Sequence, residues 1–363
     1  MNSDISQQLQ QQVQRACEQA TPLHIVGGNS KAFYGRPVPA ATVSAKILDV
    51  AGHRGVLSYE PTELVITARA GTPLNEIEKL LDDNGQMLPF EPPAFSDDAT
   101  IGGTIACNFS GPRRAYAGAA RDFLLGCKII NGRGEILSFG GEVMKNVAGY
   151  DVSRLMAGAL GTLGVLLEVS LKVLPKAEME TTQLFHCSPA EALDKMHAWS
   201  QTPLPVSATC FSDSVLRVRL SGAARAVGAA IDSIGGDTVE NAERFWHQLK
   251  EQRLDFFLDA EKPLWRLSLA SDTESLALNP APDQNDFLYE WGGALRWLKS
   301  DAQADMIQRA AADVDGHAVL FRHGKQQGLF QPLTPGLLRI HKKLKQAFDP
   351  ENILNPGRLY PDL

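Results

Sequence analysis

The sequence predicts an α+β fold, and three observations carry the prediction. The chain has 363 residues, enough for about two domains of roughly 100–200 residues each. Its first half is glycine-rich and strand-like. After Pro175 the texture changes: charge rises, helical patterns lengthen, and strands alternate with helices. That second pattern suits an antiparallel sheet covered by helices on one face.

The elements follow in order. "MNSDISQQLQQQVQRACEQA" places Ile5, Leu9 and Val13 four residues apart, so residues 1–19 read as an amphipathic helix starting near Ser3 or Asp4. "ELVITARAG" (63–71) alternates as a strand and stops at Gly71. "TPLNEIEKLLDDNGQ" reads as a helix with Thr72 as cap, Pro73 in its first position and Gly85 past its end. "LLGCKIINGRGEILSFG" (124–140) is a hairpin pattern around Asn131, Gly132 and Gly134. "TLGVLLEVSLKVLP" (162–175) is one long strand or a strand pair, closed by Pro175. Beyond it, strands are expected near 206–212, 214–220, 264–270, 286–291, 294–298 and 317–322. Helices are expected near 189–200, 222–234, 240–252 and 301–314, and a hairpin turn at Gly292-Gly293. The segment 331–363 holds one basic helix, with Arg339, Lys342, Lys343 and Lys345, and then "DPENILNPGRLY".

Bulk properties exclude several functions. The net charge is −7 without a long Lys/Arg run, which weighs against nucleic acid as partner. No apolar run reaches the roughly 20 residues that cross a bilayer, and the N-terminus lacks the pattern of a signal peptide. The five cysteines are scattered without a C-x-x-C, which removes a zinc ribbon and a chain-borne iron–sulfur cluster and suits a reducing cytoplasm.

Three glycine clusters carry the chemistry. "GGNSKAFYGRP" (27–37) follows the apolar run Leu23–Val26. It matches neither the nucleotide-triphosphate loop nor the dinucleotide fingerprint, and Pro37 with Pro39 opposes a helix after it. Paired glycines allow positive φ and close backbone approach, so the loop reads as an anion nest or as an ordinary tight turn. The second cluster is "SDDATIGGTIACNFSGPRR" (96–114). The third is "GEVMKNVAGYDVSRLMAGALGTLGVLLEVSLKVLP" (141–175), with Gly149, Gly158, Gly161 and Gly164.

These stretches, with "RDFLLG" and "FDPENILNPGRLY", resemble in order the motifs of the flavin-binding family of vanillyl-alcohol oxidase and p-cresol methylhydroxylase. The resemblance covers about residues 20–175 and the last 15 or so. Within that family, the short chain and "GGEVMKNVAGYD" are most similar to the FAD-binding subunits of bacterial glycolate oxidases. The resemblance implies a FAD-binding domain at 20–175, a cap at 176–330, and a segment 331–363 that returns to the FAD domain. It implies that the FAD pyrophosphate sits at Gly27, Gly28, Asn29, Ser30 and Lys31. Thr100, Ile101, Gly102, Gly103, Ile105 and Ala106 would lie along the cofactor, with Gly164, Val165 and Asn355 completing the site. Asn29 stands where some members carry a flavin-linking histidine, which implies non-covalent FAD. The implied partners are a second flavoprotein subunit and an iron–sulfur subunit, with membrane association only through them. The basic helix is a candidate partner surface, and a solvated face is the alternative.

Oxidation of a 2-hydroxy acid needs a cation for the carboxylate, a base for the hydroxyl proton and a hydride acceptor. Larger relatives carry two histidines around a "GDGN" core. Here "GHAVLFRHG" offers His317 and His323, which a strand separates by about 20 Å, too far to share one metal. Arg113, Arg114, Arg121, Arg266, Arg296 and Arg322 are candidate anchors. Trp265, Trp291 and Trp297 are either pocket floor or core. A scaffolding subunit without flavin turnover and a stand-alone reductase similar to the enolpyruvyl-sugar reductase are the alternative functions.

Overall fold

The computed structural model describes residues 2–37, 45–141, 151–274, 276–278, 281–323 and 329–363. The motif residues 142–150, Gly149 among them, lie outside these. The chain forms two compact units. The first comprises Met1–Phe109, Ala119–Pro175 and Pro332–Leu363; the second comprises Ser110–Gly118 and Lys176–Gln331. The N-terminal helix, expected as a separate segment, is part of the first unit, and 110–118, expected in the flavin domain, belongs to the second.

In the first unit, the helix Ser6–Glu18 buries Leu9, Val13 and Ala16, and the Asp4 carboxylate accepts from the Ser6 N–H at 2.9 Å at its start. The five-stranded sheet is antiparallel throughout. Its spatial order is Val56–Glu60, Val65–Arg69, Val165–Lys172, Leu124–Ile130 and Ile136–Gly140. The central strands are buried on both faces, and Val165–Lys172 carries apolar residues on both, at five of its eight positions. A parallel pair, Leu23–Val26 with Lys46–Asp49, stands apart from that sheet. The helix Leu74–Asp82 starts one residue later than expected. Thr72 does not cap it: its hydroxyl donates to the Arg69 carbonyl at 2.7 Å and accepts from the Gly55 N–H at 2.9 Å.

The second glycine cluster, expected as chain lying along a ligand, forms a helix at Ile101–Cys107. Thr100 caps it by accepting from the Gly103 N–H at 3.2 Å, and Asn108 ends it with φ of 53°. The C-terminal helix Pro335–Phe348 has one buried residue, Lys345. Its ammonium donates to the Thr162 and Leu354 carbonyls, each at 2.8 Å, and to the Asp349 carboxylate at 2.7 Å. Asp349 also accepts from the Ile353 and Leu354 N–H groups. Lys345 is therefore an internal fastener and not part of the exposed basic face, on which Arg339, Lys342 and Lys343 remain.

The second unit is an eight-stranded antiparallel sheet. Its order is Asp237–Thr238, Met179–His186, Val215–Gly222, Val206–Ser212, Phe287–Glu290, Leu295–Lys299, Leu264–Ser268 and His317–Arg322. The strand Met179–His186 was not anticipated. Helices Pro189–Ser200, Ala224–Ile234 and Ala304–Ala312 bury one face against Leu216, Val218, Leu220, Leu267, Leu298 and Leu320. The opposite face is touched as well. Trp246 of Glu243–Lys250 donates to Thr182, and Phe257 of Asp255–Leu258 meets the Trp297 ring edge-on at 5.5 Å. At the expected hairpin, Trp291, Gly292 and Gly293 take φ of 56°, 67° and 91°.

Candidate functional site

The first unit contains two adjoining clefts of about 530 and 570 Å³ that share Ile25, Val26, Gly27, Thr100, Gly103, Ala106, Leu160 and Asn355. The first is mainly apolar, with Val50, Ala70, Met156 and Leu166 beside Gly102, Gly161 and Gly164. The second is polar, with His24, Asn29, Ser30, Lys31, Cys107 and Arg358. One lobe suits a flat ring system and the other an anion.

The polar lobe is built by the first glycine loop. Asn29, not Gly27 or Gly28, takes the left-handed conformation, with φ of 57°. Gly28 is needed for a different reason: a Cβ there would lie 1.4 Å from the Asp98 carbonyl oxygen. Among the described residues, the N–H groups of Gly27, Gly28, Asn29 and Ser30 find no hydrogen-bond acceptor. Four successive backbone donors with no acceptor among the described residues, bordering a cleft, are what an anion nest requires. Lys31 is 6% exposed and donates to Ser30 Oγ at 3.2 Å and the Ala94 carbonyl at 3.3 Å, so it is an interior cation of this loop. Phe33 and Tyr34 anchor the loop by edge contacts to Phe95 and Phe109 at 5.4 and 4.7 Å.

Arg358, which sequence reasoning missed, ties the same loop down. Its guanidinium donates to the Arg36, Ala32 and Tyr34 carbonyls at 2.8, 3.0 and 2.6 Å. Burial lowers its pKa, and burial together with Arg358 lowers that of His24. Burial pushes the Cys107 thiol up to about 11, so it stays protonated at neutral pH. The signal for Arg358 in the sequence was the "NPGR" that follows Asn355, yet only the fold brings it to the loop.

Asn355 borders both clefts, but its amide serves the protein. Its Oδ1 accepts from the Ile25 N–H at 2.9 Å and its Nδ2 donates to the Leu160 carbonyl at 2.7 Å. It thus locks the first glycine segment to the third. Asn355→Ala leaves both buried backbone groups unpaired and is expected to cost about 2–4 kcal/mol in chemical denaturation.

Gly102 and Gly103 play different parts. A Cβ on Gly102 would strike Ala70 at 2.6 Å, whereas one on Gly103 would meet only Thr100 Oγ1, at 3.2 Å, and otherwise enter the clefts. Gly164 borders the apolar lobe. Ile101, Ile105 and Val165 are buried and line neither cleft.

In the second unit the five catalytic candidates do not converge. Arg113 is paired with Glu180 at 2.7 Å and reaches Ser221. Arg296, 1% exposed, donates to the Gly293, Glu274 and Thr273 carbonyls and fixes the loop before the hairpin. Arg322 lies over Phe321, its pKa lowered to about 10 by burial. His317 opens the strand that Arg322 ends, and His323 follows beyond. No group of three metal-ligating side chains occurs among the described residues. Trp265, Trp291 and Trp297 are all core residues.

Residues 5–140 match the family described as FAD binding domain, and residues 323–359 match the FAD linked oxidases, C-terminal domain. The chain is 50% identical over 360 residues to glycolate oxidase subunit GlcE of Escherichia coli (strain K12), covering 99% of each. It is 26% identical to glycolate oxidase subunit GlcD of Bacillus subtilis (strain 168), over 84% of this chain and 77% of that one. Among solved structures it is similar to p-cresol methylhydroxylase with substrate bound, with TM-score 0.74 at 16% identity over 100% of this chain and 88% of the other. It is also similar to 4-ethylphenol oxidase from Gulosibacter chungangensis, with TM-score 0.69 at 14% identity over 98% and 88%. The α+β fold is thus the flavoprotein fold that the order of the motifs suggested.

Proposed function

The chain belongs to the family of FAD-linked oxidases that includes glycolate oxidase subunit GlcE, and from that premise we propose that it is the FAD-binding subunit of a glycolate oxidase complex. The observation that carries this reading is the pair of clefts in the first unit. Their chemistry fits FAD: an apolar lobe with room where Gly103 lacks a side chain, and a polar lobe edged by four N–H groups without an acceptor among the described residues, the buried Lys31 and the half-buried Arg358.

In this proposal the N–H groups of Gly27, Gly28, Asn29 and Ser30 hold the pyrophosphate. Lys31 and Arg358 supply countercharge while keeping the loop in shape. Gly103, Ala106 and Gly164 leave space for the flat parts of the cofactor, and Thr100 fixes the helix that carries Gly103. Asn29 leaves the loop without a nucleophilic histidine, in keeping with non-covalent FAD. Bound FAD supplies a two-electron acceptor for the hydride of a 2-hydroxy acid. Electrons then leave through partner subunits, which we take to be a second flavoprotein and an iron–sulfur protein, because no cysteine spacing in this chain suits a cluster. No described helix is long and apolar enough to cross a membrane; a cytoplasmic place, with any membrane contact through partners, belongs to the same proposal.

The test compares the purified chain with a co-expressed complex. The chain should show the visible bands of oxidised flavin and release intact FAD on denaturation. It should turn over glycolate or D-lactate with an artificial acceptor poorly alone and readily in the complex. A chain that binds no flavin yet is required for the complex would replace this reading with a scaffolding role.

A further inference from the structure

In the second unit a half-buried arginine shares a sheet face with an exposed serine and an exposed histidine. Arg266 lies in the strand Leu264–Ser268, flanked on both sides by antiparallel strands. The register pairs Arg266 with Val319 and Ser268 with His317, so Arg266, Ser268 and His317 share one face of the sheet. Ser268 and His317 stand directly opposite each other, and Arg266 is their diagonal neighbour. It is the face opposite the apolar cluster of Trp265, Leu267, Leu298, Ala318 and Leu320.

None of the three side chains makes a hydrogen bond or ion pair with a described residue. Arg266 is half-buried, and its one recorded side-chain contact is aromatic: the guanidinium lies 5.2 Å from the centre of the Trp291 indole. Arg114 stands over the same ring at 4.4 Å. Both guanidiniums are drawn to one indole, and the indole attracts Arg266 without neutralising it. Trp291 is held there at φ of 56° and by its indole N–H donating to the Gly111 carbonyl at 3.0 Å. Such a backbone conformation costs on the order of 1 kcal/mol in a bulky residue, so the surrounding structure must impose it.

We propose that Arg266, held beside the Trp291 ring with Ser268 and His317 on the same sheet face, forms a binding site for the carboxylate of a small 2-hydroxy acid. This rests on the reading of the chain as a subunit of a 2-hydroxy-acid oxidase. The guanidinium receives the carboxylate as a two-pronged donor, and the Ser268 hydroxyl lies within the same small footprint as a further donor. Desolvation and the charge of Arg266 hold His317 below the ordinary imidazole range, so at neutral pH its ring keeps one nitrogen free to accept from the substrate hydroxyl. Two of the other arginine candidates are otherwise engaged: Arg113 by Glu180 and Arg296 by three backbone carbonyls.

The experiment is an equilibrium titration of the flavin-loaded full chain with oxalate, an unreactive carboxylate probe, followed by calorimetry and tryptophan emission. Inorganic phosphate serves as the comparison anion. The wild-type chain should bind oxalate more tightly than phosphate. Arg266→Gln should weaken oxalate binding about tenfold or more, with Arg266→Lys in between and flavin content and far-ultraviolet circular dichroism unchanged in both. Equal binding by Arg266→Gln and wild type overturns the site. So does a wild-type chain that retains FAD but binds oxalate no better than phosphate; the FAD reading would stand in that case, because flavin content is measured separately.

Discussion

Replacing Lys345 by methionine is expected to destabilise the first unit by about 3–5 kcal/mol, because it leaves the Asp349 carboxylate buried without its cation. Asp349 is 1% exposed, and its other partners are the Ile353 and Leu354 N–H groups. The same substitution frees the Thr162 and Leu354 carbonyls, which Lys345 now satisfies. Burial lowers the Lys345 pKa, and Asp349 opposes that shift. The double variant Lys345→Met, Asp349→Leu should cost less than the single one, since no lone charge remains inside. Urea unfolding followed by circular dichroism measures both. A single-variant loss below about 1 kcal/mol would show that water reaches the pair.

Gly103→Val should leave a folded chain that no longer retains FAD. Gly103 is in a helix with ordinary φ, so valine adds little backbone strain, and its Cβ would meet only Thr100 Oγ1. The branched methyls then occupy cleft volume. Overfilling a packed contact costs about 1–3 kcal/mol, equivalent to roughly 5- to 150-fold in affinity. Flavin content after gel filtration and a circular dichroism spectrum separate the two effects. Full flavin content in a folded Gly103→Val chain would move the cofactor away from this helix. Gly28→Ala is a poorer test, since its Cβ would collide with the Asp98 backbone and disturb the loop itself.

Much of this was legible in the sequence because local signals and tertiary needs agreed. The hairpin 124–140 announced itself through β-rich runs around Asn131, Gly132 and Gly134, and six strands of the second unit fall where they were expected. Met179–His186 was missed because "METTQLFH" mixes polar and apolar residues without a clean period; pairing with Val215–Gly222 decides it. The helix Ile101–Cys107 was missed because two glycines disfavour a helix by about 1 kcal/mol each, and Ala70 requires Gly102 at that contact. The glycine loop was found by composition, but the reason for each residue was not. Positive φ falls on Asn29, and Gly28 is dictated by Asp98. Lys345 looked like a surface charge, and only long-range packing shows it inside. Arg358 was out of reach for the same reason: the carbonyls it holds lie more than 300 residues earlier.

That separation has a consequence for how the protein is made. The Ile25 N–H and the Asn355 carboxamide that holds it are 330 residues apart. At a translation rate of about 5–20 residues per second, the first glycine loop waits on the order of 15–65 s for the segment that locks it. The eight-stranded sheet has its own complete set of strands and emerges during that interval. The order of assembly is therefore second unit first, first unit after, with cofactor capture a late event. A nascent chain ending at residue 331, carried clear of the ribosome by an added linker, should display a protease-resistant fragment of the second unit and no flavin.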